Sequence, residues 1–209
     1  MSLIEKLNWR YATKKFDHTK KLSAEQLESL LSAVQLAPSS MGLQPYRILV
    51  VEDAEIREQL REAGYGQQQI TQASQLIVFA AETNLDEDFG KKYIDRIAEV
   101  REIGREHLAA FEQMVLASVN GQGEGEKIVW AHKQAYIALG VLLTAAADMN
   151  IDACPMEGFL AGKFDEILGL KEKGLTTSVI ATIGFRAEDD SYSKLAKVRR
   201  PKSDLFIHI

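Results

Sequence analysis

The sequence predicts an α+β fold on three observations. Three separate β-rich runs, Tyr46 to Glu52, Gln75 to Glu82 and Thr176 to Phe185, read as strands. Between and around them, apolar residues recur with a helical period. Hydrophobic residues make up 46% of the chain against 26% charged, with no internal repeat or low-complexity tract, as an ordinary packed domain requires.

Each element has its own warrant. Leu3, Ile4 and Leu7 have helical spacing, which predicts a helix up to Trp9 before the polar, basic residues 10–15. Ser23 to Gln26 forms a capping box ahead of Leu27, Leu30, Leu31 and Val34 on one face, so a helix runs from Ala24 to about Ala37. Pro38 ends it, because the residue before proline is pushed out of the helical region. After the first strand, Asp53 caps a helix that Gly64 stops. From Asp88 to Val119 the apolar period persists, predicting one long helix or two with a bend at Gly104. Gly121 to Gly125 reads as a loop. Lys127 to Met149 reads as a helix apolar or small on nearly every side in its middle, a pattern that favours burial at an oligomer interface. Leu205, Ile207 and Ile209 alternate with Phe206 and His208 as a strand would.

A length of 209 residues and 23.3 kDa fits one domain spanning residues 1–209. The net charge of -5 gives no basic surplus to displace counterions from phosphates, which argues against nucleic acid. Cys154 is the only cysteine, which excludes an intrachain disulfide and a Cys-rich zinc site, and a reducing cytoplasm fits. The start lacks a secretory pattern, and the apolar stretch from Tyr136 to Ala147 falls short of the roughly 18 residues of a membrane span. Neither G-x-S-x-G nor H-E-x-x-H nor a Walker phosphate loop occurs, so hydrolytic and metal chemistry lack their usual signatures.

Four separated segments stand out together: Arg10-Tyr11-Ala12-Thr13-Lys14-Lys15-Phe16, Ala37 to Tyr46 (APSSMGLQPY), Cys154-Pro155-Met156-Glu157-Gly158-Phe159, and Lys197-Val198-Arg199-Arg200-Pro201. In order and spacing they resemble the FMN-dependent nitroreductase family, most closely its oxygen-insensitive NAD(P)H nitroreductase and dihydropteridine reductase branch. The resemblance covers nearly the whole chain. It implies an α/β/α sandwich with a central mixed, mostly antiparallel sheet, and an intertwined homodimer with FMN sites at the subunit interface. It also implies NADH or NADPH as hydride donor, a small-molecule electron acceptor, and no membrane or nucleic-acid partner.

The same resemblance assigns roles. FMN carries a phosphate near two negative charges, which the planar fork of Arg is suited to hold. Arg10, Lys14, Lys197 and Arg199 match the phosphate positions, with Tyr11 and Ala12 in the same segment. Lys197 and Arg199, at i and i+2 of an extended segment, share a face. Backbone groups around Pro155, Met156, Glu157 and Gly158 face the flavin, with an N–H near Glu157 or Gly158 donating to N5. Pro38, Ser39 and Ser40 reach the FMN bound mainly by the other subunit. There the usual P-S-S-x-N-x-Q-P-W pattern is changed, with Gly42 in place of Asn and Tyr46 in place of Trp. Gln67 and Gln69 match the segment that hydrogen-bonds the flavin pyrimidine, Gln69 standing where some members use Lys. Residues 111–125, including Leu116, cover the pocket. No protein nucleophile or base is expected, because the flavin carries the hydride chemistry. A dihydropteridine or flavin reductase on the same scaffold stays open, as does a flavin-free dimeric binding protein.

Overall fold

The computed structural model describes residues 1–209. Its first helix, α1 (Leu3–Trp9), starts behind a capping box in which the Ser2 side chain accepts from the Glu5 N–H and Glu5 accepts from that of Ser2. The same device, Ser23 with Gln26, opens α2 (Ala24–Gln35), which ends just before Pro38 as expected. β1 (Tyr46–Val51) follows, then α3 (Ala54–Ala63), capped by Asp53 at 2.8 Å from the Ile56 N–H and stopped at Gly64. A short α4 (Gln69–Gln72), not foreseen from sequence, leads into β2 (Gln75–Glu82).

The long apolar-periodic region is two helices, α5 (Glu87–Arg101) and α6 (Ala109–Asn120). They part because Glu102 turns left-handed at φ 52° and a short 3₁₀ turn follows, in which Arg105 ion-pairs with both Asp95 and Glu112. α7 runs over Glu124–Asp148, so the expected loop of residues 121–125 shrinks. Glu126 reaches back to the Gly123 N–H at 2.9 Å, and acidic residues in the first turn favour the helix dipole, which lengthens the helix at its start. By length and composition alone α7 could cross a bilayer; instead it packs on α2 and on all four strands of the sheet.

β3 (Asp152–Met156) was not foreseen from sequence. A strand only five residues long and interrupted by proline gives almost no pattern, and proline is tolerated because β3 lies at the sheet edge. α8 (Ala161–Ile167) and β4 (Leu175–Gly184) complete the core, and α9 (Lys202–Leu205) follows. The sheet order is β1-β2-β4-β3, with every neighbouring pair antiparallel. Its one parallel pairing is an isolated bridge from Ala12 to Ala153.

Alternation along β2 separates two apolar layers. Ile77 and Phe79 pack with Leu30 and Val34 of α2 and Ala135, Ala138 and Leu142 of α7. Leu76 and Val78 pack with Leu60 of α3, Ile70 of α4 and Phe164 of α8. Helices therefore cover both faces, and β2 is buried along its whole length. Buried Arg57 ties α3 to the end of α4, donating to the carbonyls of Ile70, Ala73 and Ser74 at 2.7, 2.7 and 3.0 Å. The tail differs from its expected strand. Leu205 closes α9, and residues 206–209 are exposed and join no sheet within the chain.

Candidate functional site

Beyond α1 the chain runs extended beside β3, with Ala12 bridged to Ala153 and the Thr13 N–H 3.4 Å from the Ala153 carbonyl. This register brings Arg10 and Lys14 to Cys154, whose thiol is pushed up by burial and pulled back by both cations. From the far end of the chain, the Lys197 ammonium donates to the carbonyls of Leu7 and Arg10. Burial and then the Arg199 charge lower the Arg10 pKa; burial and then Arg10 and Arg199 lower that of Lys197. These cations repel one another, and none of Arg10, Lys14, Lys197 or Arg199 is paired with a carboxylate. A partly buried cluster of that kind is suited to an anion with several oxygens, such as a phosphate monoester.

Residues that sequence reasoning missed hold this cluster in place. Buried Asp190 accepts from the Tyr11 hydroxyl and the Lys14 N–H at 2.9 Å each, the Lys15 N–H at 3.1 Å and the Tyr192 N–H at 3.1 Å. Burial pushes the Asp190 carboxyl up, and the hydrogen bonds more than offset it, leaving the pKa below its ordinary value. Arg186 stacks on the rings of Trp9 and Tyr11, 4.2 and 4.6 Å from their centroids, while its Nε donates to buried Asp152 at 2.8 Å. Both contacts join residues far apart in sequence, so no local motif announces them. The Tyr11 side chain is thus committed to the scaffold.

β3 ends at a turn with unused donors. The N–H groups of Glu157 and Gly158 donate to nothing in the chain, whereas those of Phe159 and Leu160 bond the carbonyls of Glu157 and Ala63 at 2.9 Å each. Gln67 braces the turn, its amide donating to the carbonyls of Gly158 at 2.7 Å and Gly64 at 3.0 Å. Only its Oε1 remains to receive a ligand donor. The Tyr136 hydroxyl of α7 donates to Glu157 Oε1 at 2.5 Å. A Cβ on Gly158 would meet only Gln67 Nε2, at 3.7 Å, so the chain itself does not require glycine there. Gln69 lies buried at the start of α4, in a turn that packs against α3.

The Ser39-Ser40 segment is rigidly built. Ser39 Oγ accepts from the Gln44 N–H at 2.9 Å, and the Ser40 N–H donates to buried Gln134 of α7 at 2.8 Å. Pro38 stands exposed just before it. Gln134 and Tyr136 are two residues apart on α7 and so face different sides of the helix, which separates Ser39 and Ser40 from the Glu157 turn of the same chain. Gly42 has φ 76°, and a Cβ there would lie 2.1 Å from the Tyr93 hydroxyl. The tyrosine occupies the space of a larger residue at this position, which accounts for the departure from Asn. Gly42→Ala is expected to cost about 1–2 kcal/mol from left-handed strain plus a share for displacing Tyr93. Urea unfolding checks this: Tyr93→Phe should recover the second share, and equal losses in both backgrounds would refute the packing account.

The structure therefore brings together Arg10, Ala12, Lys14, Gln67, Pro155, Met156, Glu157, Gly158, Lys197 and Arg199, around the edge formed by β3. The model of the "Nitroreductase family" matches residues 7–185. Among relatives, the Bacillus subtilis protein named "Putative NAD(P)H nitroreductase YfkO" is 36% identical over 198 residues, covering 90% of each chain. A Staphylococcus haemolyticus protein with the same description, SH0546, is 33% identical over 221 residues, covering 98% of this chain and 95% of that one. In fold, the chain superposes with a TM-score of 0.87 on an Exiguobacterium sibiricum structure solved in complex with FMN, at 19% identity, covering 100% of this chain and 98% of that one. On the extent of the family match and these identities, the chain belongs to the nitroreductase family.

Proposed function

We propose that this protein is an FMN-dependent NAD(P)H oxidoreductase reducing nitroaromatics, quinones or related acceptors in two-electron steps. The observation that carries the reading is the cluster of Arg10, Lys14, Lys197 and Arg199, without carboxylate partners, beside two unused backbone donors at Glu157 and Gly158. That donor set fits FMN: cations for the phosphate, N–H groups for the ring edge, and Gln67 Oε1 as acceptor for a ring N–H. When bound, the flavin supplies hydride acceptance and donation. The chain's own residues bind and orient it, and solvent supplies protons. The FMN seen in the Exiguobacterium sibiricum structure and the NAD(P)H in the relatives' names support the same reading.

The working unit in this proposal is a homodimer of one-domain chains, 1–209, in the reducing cytoplasm. Ile137 of α7 is 42% exposed and borders a shallow apolar depression with Leu3, Gly140 and Val141, a surface suited to a second copy. Ser39 and Ser40, cut off by α7 from their own chain's Glu157, would then serve the partner's flavin. The purified protein is expected to be yellow, releasing one FMN per subunit by mass. Its kinetics with NAD(P)H and a nitroaromatic or quinone should give parallel double-reciprocal lines, since one ring face serves both substrates in turn. A colourless protein that takes up no FMN on reconstitution would refute the proposal, and intersecting lines would refute the shared face.

A further inference from the structure

Tyr136 and Glu157 come from different elements, and their contact is the only tie on the Glu157 side chain. The turn that Glu157 opens is held at three further points: Phe159 N–H to Glu157 carbonyl, Leu160 N–H to Ala63 carbonyl, and Gln67 amide to Gly158 carbonyl. Gln67 and Ala63 grip it from the α3 side, so Tyr136 is the one brace from α7. The pair is chemically well matched. Burial, and then the hydrogen bond and charge of Glu157, push the Tyr136 phenol up to about 12, so it stays protonated and donating at neutral pH. A phenol donating to a carboxylate is a charge-assisted bond, stronger than a neutral one.

Resting on the FMN reading above, we propose that Tyr136 is a positioning residue for this reaction, its hydroxyl clamping Glu157 so that the N–H groups of Glu157 and Gly158 stay turned outward and available to the flavin. The only backbone N–H groups left unbonded in the clamped turn are those two donors. A free Glu157 carboxylate, by contrast, could fold back onto either N–H, as Asp, Asn, Ser and Thr side chains commonly do near their own backbone, and so compete with the ligand. Tyr136 opposes that by holding the carboxylate toward α7 through Oε1.

Hydrogen exchange on the full-length protein, with and without FMN, tests the clamp. In Tyr136→Phe the Phe159 and Leu160 amides should exchange about tenfold faster, the factor that ~1.4 kcal/mol of lost stabilisation gives. The bound flavin's visible band, which responds to hydrogen bonding at the ring edge, should shift. Glu157→Gln, which keeps an acceptor for the tyrosine, should preserve wild-type protection at both amides, whereas Glu157→Ala should behave like Tyr136→Phe. Wild-type exchange in Tyr136→Phe overturns the proposal, and so does faster exchange with an unshifted flavin band. If wild-type protein binds no flavin, the functional reading fails on its own terms, while the exchange measurement still reports whether the clamp exists.

Discussion

Arg10→Ala is expected to weaken FMN binding ten- to a hundredfold with the fold intact. The Arg10 guanidinium is partly buried between Lys197 and Arg199, and burial and Arg199 both lower its pKa, so it is held ready for an anion at an electrostatic cost. A charge-assisted hydrogen bond contributes roughly 1.5–3 kcal/mol, and ~1.4 kcal/mol is a factor of ten in affinity. Arg199, exposed and bonded to the Val198 carbonyl, should give a smaller loss on the same substitution. Arg200, pointing the other way along the extended segment, should matter least. Titration of flavin fluorescence against apoprotein gives the three affinities. Removing repulsion should also make the Arg10→Ala apoprotein no less stable than wild type. Unchanged affinity would show that the phosphate lies elsewhere.

Deleting Asp204 to Ile209 is expected to dissociate the proposed homodimer and, with it, most of the bound flavin. Phe206 and Ile207 are 56% and 85% exposed, an arrangement that an apolar tail does not keep in water without a surface to meet. β1 is an edge strand, and beside it lies a groove of about 730 Å³ lined by Leu31, Val34, Ile48, Phe89 and Tyr93. A partner's tail laid along β1 would extend the sheet and fill that groove, as part of an interface of obligate size, beyond roughly 2,000 Å². Since Ser39 and Ser40 would touch the partner's cofactor, dimerisation and FMN binding stabilise each other by mass action. Sedimentation with flavin content per chain decides it. A truncated protein that remains dimeric and fully loaded would show the tail to be dispensable, and a wild-type monomer holding FMN tightly would end the shared-site reading.

What could be read from the chain depended on whether the deciding interaction was local. The capping box at Ser23, the stop at Gly64 and the first two strands are set by residues within a few positions, and each lies where expected. β3 was not legible, because Pro155 suppresses strand character and only the sheet edge makes it acceptable. The division of α5 from α6 around Gly104 was one of the two readings the sequence offered, and Arg105 reaching Asp95 and Glu112 accompanies it. In the site, the cations were visible as motifs, while Asp190, Arg186, Gln134 and Tyr136 were not. Each of those acts on a backbone or side chain well outside its own neighbourhood, at separations from 21 residues for Tyr136 to 179 for Asp190 and Tyr11.

The contact between Lys197 and the Arg10 carbonyl joins residues 187 positions apart, and it bears on how the protein is made. A nascent chain made only as far as β4 already contains Arg10 and Lys14 and the strand β3 beside which they lie. It has neither Lys197 nor Arg199. Synthesis proceeds at roughly 5–20 residues per second, so the sheet and both helical layers can assemble before the cation cluster is complete. Any anion held jointly by Arg10, Lys14, Lys197 and Arg199 must therefore arrive late, after residues 197–199 have joined the segment beside β3.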